Sequence, residues 1–224
     1  MSGRRVILVV ALCAVVAHLG ARWNRFAFDD VYIVALNPLV HSVGGAWRAF
    51  LEPYWPGNLT GAMYRPLPVF TFALDWVLGS PAWFHAMNLL WHAAATAAVA
   101  GLAGRGAGGA PRLGAGMLFA VHPVHVEAVA NVVGRSELMA ALFVLLAVYG
   151  ALERGSVGWS GAAMALAVLS KENAAVAPAL VAWGWLTGVA PRPTRARAAL
   201  FVAVWIAGAL AYAGVRWWVL HGYA

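Results

Sequence analysis

Two adjacent carboxylates, Asp29 and Asp30, have the clearest capacity for acid–base chemistry in this sequence. They follow Phe28 in a polar connection just after the first apolar stretch. A carboxylate acts as a general base when it lies within hydrogen-bond reach of the proton that it removes, and neighbouring carboxylates can also bind a metal ion. The alternative is structural, because Asp is a favoured N-cap residue and a short interfacial helix would start near Val31.

Three cationic side chains are suited to binding a phosphate group: Arg65, Arg135 and Lys171. An arginine at headgroup depth, such as Arg65, binds phosphate through two parallel hydrogen bonds or reaches the lipid phosphates of the membrane surface. Arg135 stands in residues 134–137, which fit a second phosphate contact or a helix N-terminus, where anions also bind. Lys171 and its neighbour Glu172 form either a local ion pair or part of the same site.

A polar face is predicted on one apolar helix, where His85, Asn88 and His92 follow one another at spacings of three and four residues. The two histidines are about 10.5 Å apart along the helix axis, so they do not share one ion. Hydrogen bonding between helices is the preferred interpretation of His92. His85, nearer the start of the helix, is the better candidate for a site residue.

A third group of ionisable residues lies in the segment HPVHVE, which contains His122, His125 and Glu127. Two histidines and a carboxylate form a ligand set for a divalent metal such as zinc. Their spacing differs from that of H-E-x-x-H, and Pro123 interrupts the helix between them. A polar, re-entrant segment that lines a site is therefore the preferred interpretation, and the sequence indicates no other cofactor.

These residues are set in a very apolar chain of 224 residues, of which 63% are hydrophobic and 10% charged, with a mean hydropathy of +0.76. Soluble domains average about 45–50% apolar and about 25% charged residues. The composition excludes an ordinary soluble domain and a disordered chain. The formal net charge of +7 is typical of an excess of basic residues on cytoplasmic loops, so no nucleic-acid partner is expected. The single Cys13 excludes an intrachain disulfide.

The apolar pattern predicts an all-α membrane protein with one transmembrane domain, residues 1–224, and about seven spans. A spanning helix needs about 20 mostly apolar residues. The first outer loop, 22–81, is rich in Trp and Tyr, which favour the headgroup level, and it is expected to form interfacial helices. Within it, 67–78 is too short to span and is interpreted as interfacial or re-entrant. The predicted spans are 6–21, 82–103, 113–122, 137–152, 158–170, 174–189 and 198–220.

Charge distribution sets the orientation of these spans. With the N-terminus in the cytoplasm, Glu153 and eight basic residues face inward, while the outer side carries equal numbers of basic and acidic residues. The inward basic residues are Arg4, Arg5, Arg105, Arg112, Arg154, Arg192, Arg195 and Arg197. All the candidate residues above except His92 then lie at the outer face. Ionisable groups at membrane depth cost about 2.5–3.5 kcal/mol each and usually face a cavity, so a polar site is expected there.

Several motifs in a fixed order resemble one protein family. They are FDD, then N-P, YRPL, FHxxNxxxH, FAVHPVHVEAVANVVGRSELMA, LSKEN and AYAGVRWW. Together they are similar to the membrane part of the transmembrane O-mannosyltransferases that carry tetratricopeptide repeats, the TMTC family, and to their bacterial relatives. The resemblance extends over residues 25 to 220.

The resemblance implies a helical bundle of the glycosyltransferase C superfamily. It implies transfer of a sugar, mannose, from a polyprenyl-phosphate donor to a protein hydroxyl, with inversion, at the outer face of a bacterial inner or plasma membrane. The superfamily carries its catalytic carboxylate in an acidic motif of the first outer loop, which assigns the base to Asp29 or Asp30. From charge and placement, Arg65, His85, Arg135 and Lys171 are then expected to bind the donor phosphate. The residues expected to line the rest of the site are His122, His125, Glu127 and Glu172.

The chain differs from that family in length. Family members have further spans and a C-terminal array of repeats, whereas this sequence stops at Ala224, which predicts a fragment or a truncated gene. Two other functions therefore compete with the transferase: a transporter or channel lined by the polar residues, and a non-catalytic membrane scaffold. The inner half of the bundle is nearly free of ionisable groups apart from His92, which argues against a transport path.

Overall fold

The computed structural model describes residues 2–57, 63–104 and 109–221, and this part of the chain is helical, as predicted. Arg105, one of the basic residues predicted to face inward, lies outside the described residues. The helices are α1 (Gly3–Ala17), α2 (Val43–Arg48), α3 (Pro66–Trp76), α4 (Pro81–Ala103), α5 (Gly109–Val121), α6 (Val126–Ala130), α7 (Arg135–Leu152), α8 (Val157–Ser170), α9 (Ala177–Leu186) and α10 (Arg195–His221).

Fewer helices than the seven predicted are long and apolar enough to cross a membrane. Among the described residues, the segments Pro81–Ala103, Val132–Leu152 and Arg195–His221 meet both criteria. A fourth span results if Gly109–Val121 and Pro123–Ala130, which meet at an angle of 47°, are counted together. The other predicted spans correspond to α1, α8 and α9, which have 15, 14 and 10 residues. These lengths fall below the roughly 20 residues that a straight span needs.

Local sequence signals explain where two of these helices begin. The hydroxyl of Ser80 accepts a hydrogen bond of 3.3 Å from the Trp83 N–H, and Pro81 follows at the first helical position of α4. Ser156 caps α8 in the same way, with a bond of 3.2 Å from the Trp159 N–H. Both are favoured N-cap arrangements, and they set where the helices enter the bundle.

The bend after α5 arises at Pro123, which has no N–H to continue the helix. The next N–H, that of Val124, donates to Nδ1 of His122 at 3.2 Å instead of to the helix. The main-chain oxygen of Ala120 is left to side chains, and Nε2 of both His18 and His92 lies 3.2 Å from it. Two histidines from α4 and from the end of α1 therefore stabilise the bend, which gives His92 the interhelical role expected for it.

The bundle is organised around α7, which packs against α4, α8 and α9. Helix α1 packs against α4 and α5, and α10 packs against α8. The first outer loop packs on a hydrophobic core that is rich in aromatic side chains and includes Ile33, Tyr54, Phe72 and Phe84. Because this core joins the loop, which includes α3, to α4 through Phe84 and to the turn before α7 through Val132, the loop is an ordered cap on one end of the bundle.

Candidate active site

The structure separates the two adjacent carboxylates. Asp29 is exposed, whereas Asp30 is 1% exposed. The Asp30 carboxylate accepts hydrogen bonds from the main-chain N–H groups of Val133 (2.9 Å) and Ala27 (3.4 Å). Burial raises the pKa of Asp30 above its ordinary value, and these two main-chain hydrogen bonds oppose the rise. Asp30 therefore joins two parts of the fold, and Asp29 is the carboxylate that is open to a substrate.

The partner of Asp30 is a tight turn just before α7. Asn88 of α4 holds this turn, because its side-chain amide donates to the main-chain oxygens of Asn131 (2.8 Å) and Val132 (3.2 Å). Gly134 is required for the same turn, since a β-carbon there would lie 2.3 Å from the main-chain oxygen of Ala128. The Val133 N–H is thereby directed toward the first outer loop.

A cavity of about 880 Å³ lies between the first outer loop, the bent segment after α5 and the start of α7. Its wall contains five of the ten predicted site residues: Asp29, Arg65, His125, Glu127 and Lys171. Apolar side chains of the long helices line it as well, among them Ala95, Phe119, Leu138 and Ala141. A cavity with charged groups beside apolar helix surface suits a ligand that has both a polar and an apolar part.

The two cations of the cavity are held by carboxylates. Nε and Nη2 of Arg65 donate to one oxygen of Glu172, at 3.0 and 2.9 Å. Lys171 forms an ion pair with Glu137 at the start of α7. Glu172 therefore acts through Arg65, although it does not itself line the cavity. An ammonium group has three N–H donors, so Lys171 can contact a phosphate oxygen while it keeps Glu137.

Tyr54 and Glu137 also line the cavity, and neither is among the ten predicted site residues. The guanidinium of Arg65 lies 5.4 Å from the centre of the Tyr54 ring, a cation–π contact. Burial raises the pKa of Tyr54 to about 12. Its hydroxyl lies 3.5 Å from that of Ser136, so Tyr54 connects the first outer loop to α7. One sequence feature could have indicated Glu137 as a site residue: it lies close to Arg135, at the start of an apolar helix.

Arg135, which was expected to contact the donor phosphate, does not line the cavity. Its side chain is fully buried and forms an ion pair with Asp75. It also donates to the side-chain oxygen of Asn88 at 2.9 Å and to the main-chain oxygen of Phe84 at 3.0 Å. The guanidinium carbon of Arg135 lies 4.7 Å from the centre of the Phe72 ring. A buried guanidinium needs a partner charge and hydrogen-bond acceptors, and these contacts supply both. Arg135 is therefore part of the core.

His85 and His122 also lie away from the cavity. His85, expected to bind the donor phosphate, is fully buried in α4. His122 is exposed, and its Nδ1 is occupied by the Val124 N–H. His125 does line the cavity, with its ring centre 4.2 Å from that of Phe119.

Among the residues that the structure describes, no three His, Cys, Asp or Glu side chains converge so that they could hold one ion. Pro123 separates His122 from His125, and the first of them caps the following turn. Of this segment, His125 and Glu127 line the cavity, whereas His122 does not.

Comparison with known proteins finds several relatives. The chain is 36% identical to protein O-mannosyl-transferase TMTC1 of Homo sapiens, over 71% of this chain and 19% of that protein. It is 34% identical to protein O-mannosyl-transferase TMTC4 of Homo sapiens, over 64% of this chain and 22% of that protein. It is 39% identical to protein O-mannosyl-transferase Tmtc2 of Drosophila melanogaster, over 59% of this chain and 15% of that protein.

These similarities confirm the resemblance that the motifs indicated. The chain spans about a fifth of the length of the curated relatives it matches. No protein-family model matches it, and no solved structure does.

Proposed function

We propose that this chain, a homologue of the TMTC protein O-mannosyl-transferases, is part of an integral membrane glycosyltransferase. It would transfer a sugar, mannose, from a polyprenyl-phosphate donor to a hydroxyl of a protein acceptor at the outer face of the membrane. The single observation that carries the proposal is that an exposed carboxylate, Asp29, shares one cavity with two cations, Arg65 and Lys171.

Asp29 is the general base of this reaction. Its carboxylate takes the proton of the acceptor hydroxyl as the oxygen attacks the anomeric carbon. The bond between that carbon and the phosphate oxygen breaks, and polyprenyl phosphate leaves with the electron pair. Asp29 then returns the proton to water, which its exposure permits. A positioned base of this kind contributes about 10²–10⁴-fold to the rate.

Arg65 and Lys171 stabilise the leaving phosphate. Their positive charges lie on the wall of the cavity where negative charge develops on the phosphate, and such fixed charges lower the barrier most when water is excluded. The apolar helix surfaces beside them suit the polyprenyl chain. The outer-face orientation is supported by the charge pattern, because Arg192, Arg195 and Arg197 are typical of a cytoplasmic loop.

The test is a transfer assay on the whole chain. The purified protein is placed in vesicles with radiolabelled mannosyl polyprenyl phosphate, and transfer to a synthetic peptide with one Thr is measured. Asp29→Asn is expected to lower kcat at least about 100-fold. Glu127→Gln, which neutralises another exposed carboxylate on the same cavity, is the matched control and is expected to stay within about threefold of wild type. Equal rates for Asp29→Asn and wild type would show that Asp29 is not the base, and an inactive wild type would overturn the proposed function.

A further inference from the structure

Phe28 has a strained backbone at the edge of the cavity. Its φ is +50°, and among the residues that the structure describes every other positive φ belongs to a glycine. A bulky residue rarely adopts this left-handed conformation, because its β-carbon crowds the following carbonyl oxygen. The strain lies directly before Asp29, the exposed carboxylate.

Packing does not account for the presence of Phe28. Its side chain is 84% exposed although it lines the cavity, so it packs little against the rest of the protein. The local hydrogen bonds also do not require it. The Val31 N–H donates to the main-chain oxygen of Phe28 at 3.2 Å, and the Asp30 N–H donates to that of Ala27 at 3.0 Å. Glycine would make the same main-chain bonds without strain.

The position of Phe28 indicates which substrate it meets. When a base activates an incoming oxygen and the leaving group departs in one displacement, the two lie on opposite faces of the sugar. Under the proposed function, Arg65 and Lys171 contact the leaving phosphate, and Asp29 contacts the incoming hydroxyl. A side chain next to Asp29 is therefore on the acceptor side.

We propose that Phe28 recognises the acceptor polypeptide, its exposed ring contacting an apolar side chain next to the hydroxyl residue. This inference rests on the proposed function and adds a specificity to it. The strained backbone at Phe28 presents a large apolar surface beside the base, a stability cost that is retained at binding sites. An acceptor with a charge at the neighbouring position would lose this contact and place its charge against the ring.

The experiment compares two peptides that differ only in the residue next to a single Thr, which is Val in one and Asp in the other. Wild-type protein in vesicles with mannosyl polyprenyl phosphate is expected to favour the Val peptide by about tenfold in kcat/KM. Phe28→Gly is expected to abolish this preference by raising the KM for the Val peptide about tenfold, with the KM for the donor unchanged. Phe28→Tyr keeps the aromatic face and is expected to keep the preference. Trp23→Ala removes another exposed aromatic side chain, one outside the cavity, and is expected to change neither value.

Thermal unfolding separates this role from a structural one. Phe28→Gly is expected to raise Tm by about 2–4 °C, since glycine relieves the strain. The matched control is Gly188→Phe, which places Phe at φ +76°, with no heavy atom within 4 Å of the added β-carbon, and should lower Tm.

Each outcome of the experiment decides a different point. A fall in Tm for Phe28→Gly, or an unchanged preference for the Val peptide, would overturn the inference while leaving the proposed function intact. Absence of transfer by the wild type would overturn the proposed function, and this inference with it.

Discussion

The carboxylate of Asp30 accepts a hydrogen bond of 2.9 Å from the main-chain N–H of Val133, which lies 103 residues further along the chain. This bond ties the first outer loop to the turn that precedes α7. It leaves Asp29, the adjacent residue, exposed on the wall of the cavity. Two neighbouring residues of one type thus have different tasks, one in the fold and one at the surface of the site.

Replacing Asp30 is expected to change how stability depends on pH. Burial raises the pKa of Asp30 above 3.8, so the folded state binds this proton more tightly than the unfolded state. The contribution of Asp30 to stability is fully present at a pH below its pKa in the unfolded state. This contribution is lost as the pH rises through its pKa in the folded state. The stability of wild type relative to Asp30→Asn should therefore fall with increasing pH within that window, by at most about 1.4 kcal/mol per pH unit.

The measurement is thermal unfolding of both proteins in detergent between pH 4 and 8. Glu127→Gln, which removes an exposed carboxylate, is the control and should follow the wild-type curve closely. Parallel curves for wild type and Asp30→Asn would contradict the prediction.

Arg65→Met is expected to weaken donor binding. The substitution removes a positive charge from the cavity. It also removes the two hydrogen bonds that Glu172 accepts from the Arg65 side chain. We expect KM for mannosyl polyprenyl phosphate to rise about tenfold, which corresponds to about 1.4 kcal/mol. Arg48→Met is the control, because Arg48 also pairs with a glutamate, Glu52, at 2.8 Å but lies outside the 880 Å³ cavity. Equal donor KM values for the two variants would exclude a specific role for Arg65.

Arg135→Met is expected to destabilise the fold by about 3–5 kcal/mol, because it leaves the charge of Asp75 buried without its partner. The measurement is the fraction of folded protein recovered in detergent and its unfolding midpoint. The double variant Arg135→Met/Asp75→Asn should regain part of the loss, since the uncompensated charge is removed. It should also keep the wild-type donor KM. A double variant that is folded and yet has a much higher donor KM would return Arg135 to the site.

Substitutions of His18 and His92 are expected to have non-additive effects on stability, because both side chains contact the bend after α5. Both imidazoles reach the main-chain oxygen of Ala120 at 3.2 Å. Either single change to Phe leaves one donor in place and should cost about 0.5–1.5 kcal/mol. The double variant leaves the carbonyl unsatisfied, and its cost should exceed the sum of the two single costs. A double-mutant cycle by thermal unfolding checks this, and strict additivity would show that the two bonds are independent.

The amino-acid sequence by itself determined the class of the protein and the pool of residues from which a site could be built. Apolar content, helix length and helix breaks are local properties, so the helical membrane fold, the break at Pro123 and a connection rich in Trp and Tyr after the first helix could be predicted from them. The motifs also indicated the resemblance to the TMTC proteins, because they combine residue types in a set order.

Only the tertiary structure decided which members of that pool share the cavity. Arg65 pairs with Glu172 across 107 positions, and Arg135 pairs with Asp75 across 60. A charged side chain can be satisfied by any opposite charge, and packing alone selects which one it meets. Arg65 and Arg135 are equivalent as sequence candidates for phosphate binding. For this reason only the structure shows that Arg65 lies on the cavity wall and Arg135 in the buried core.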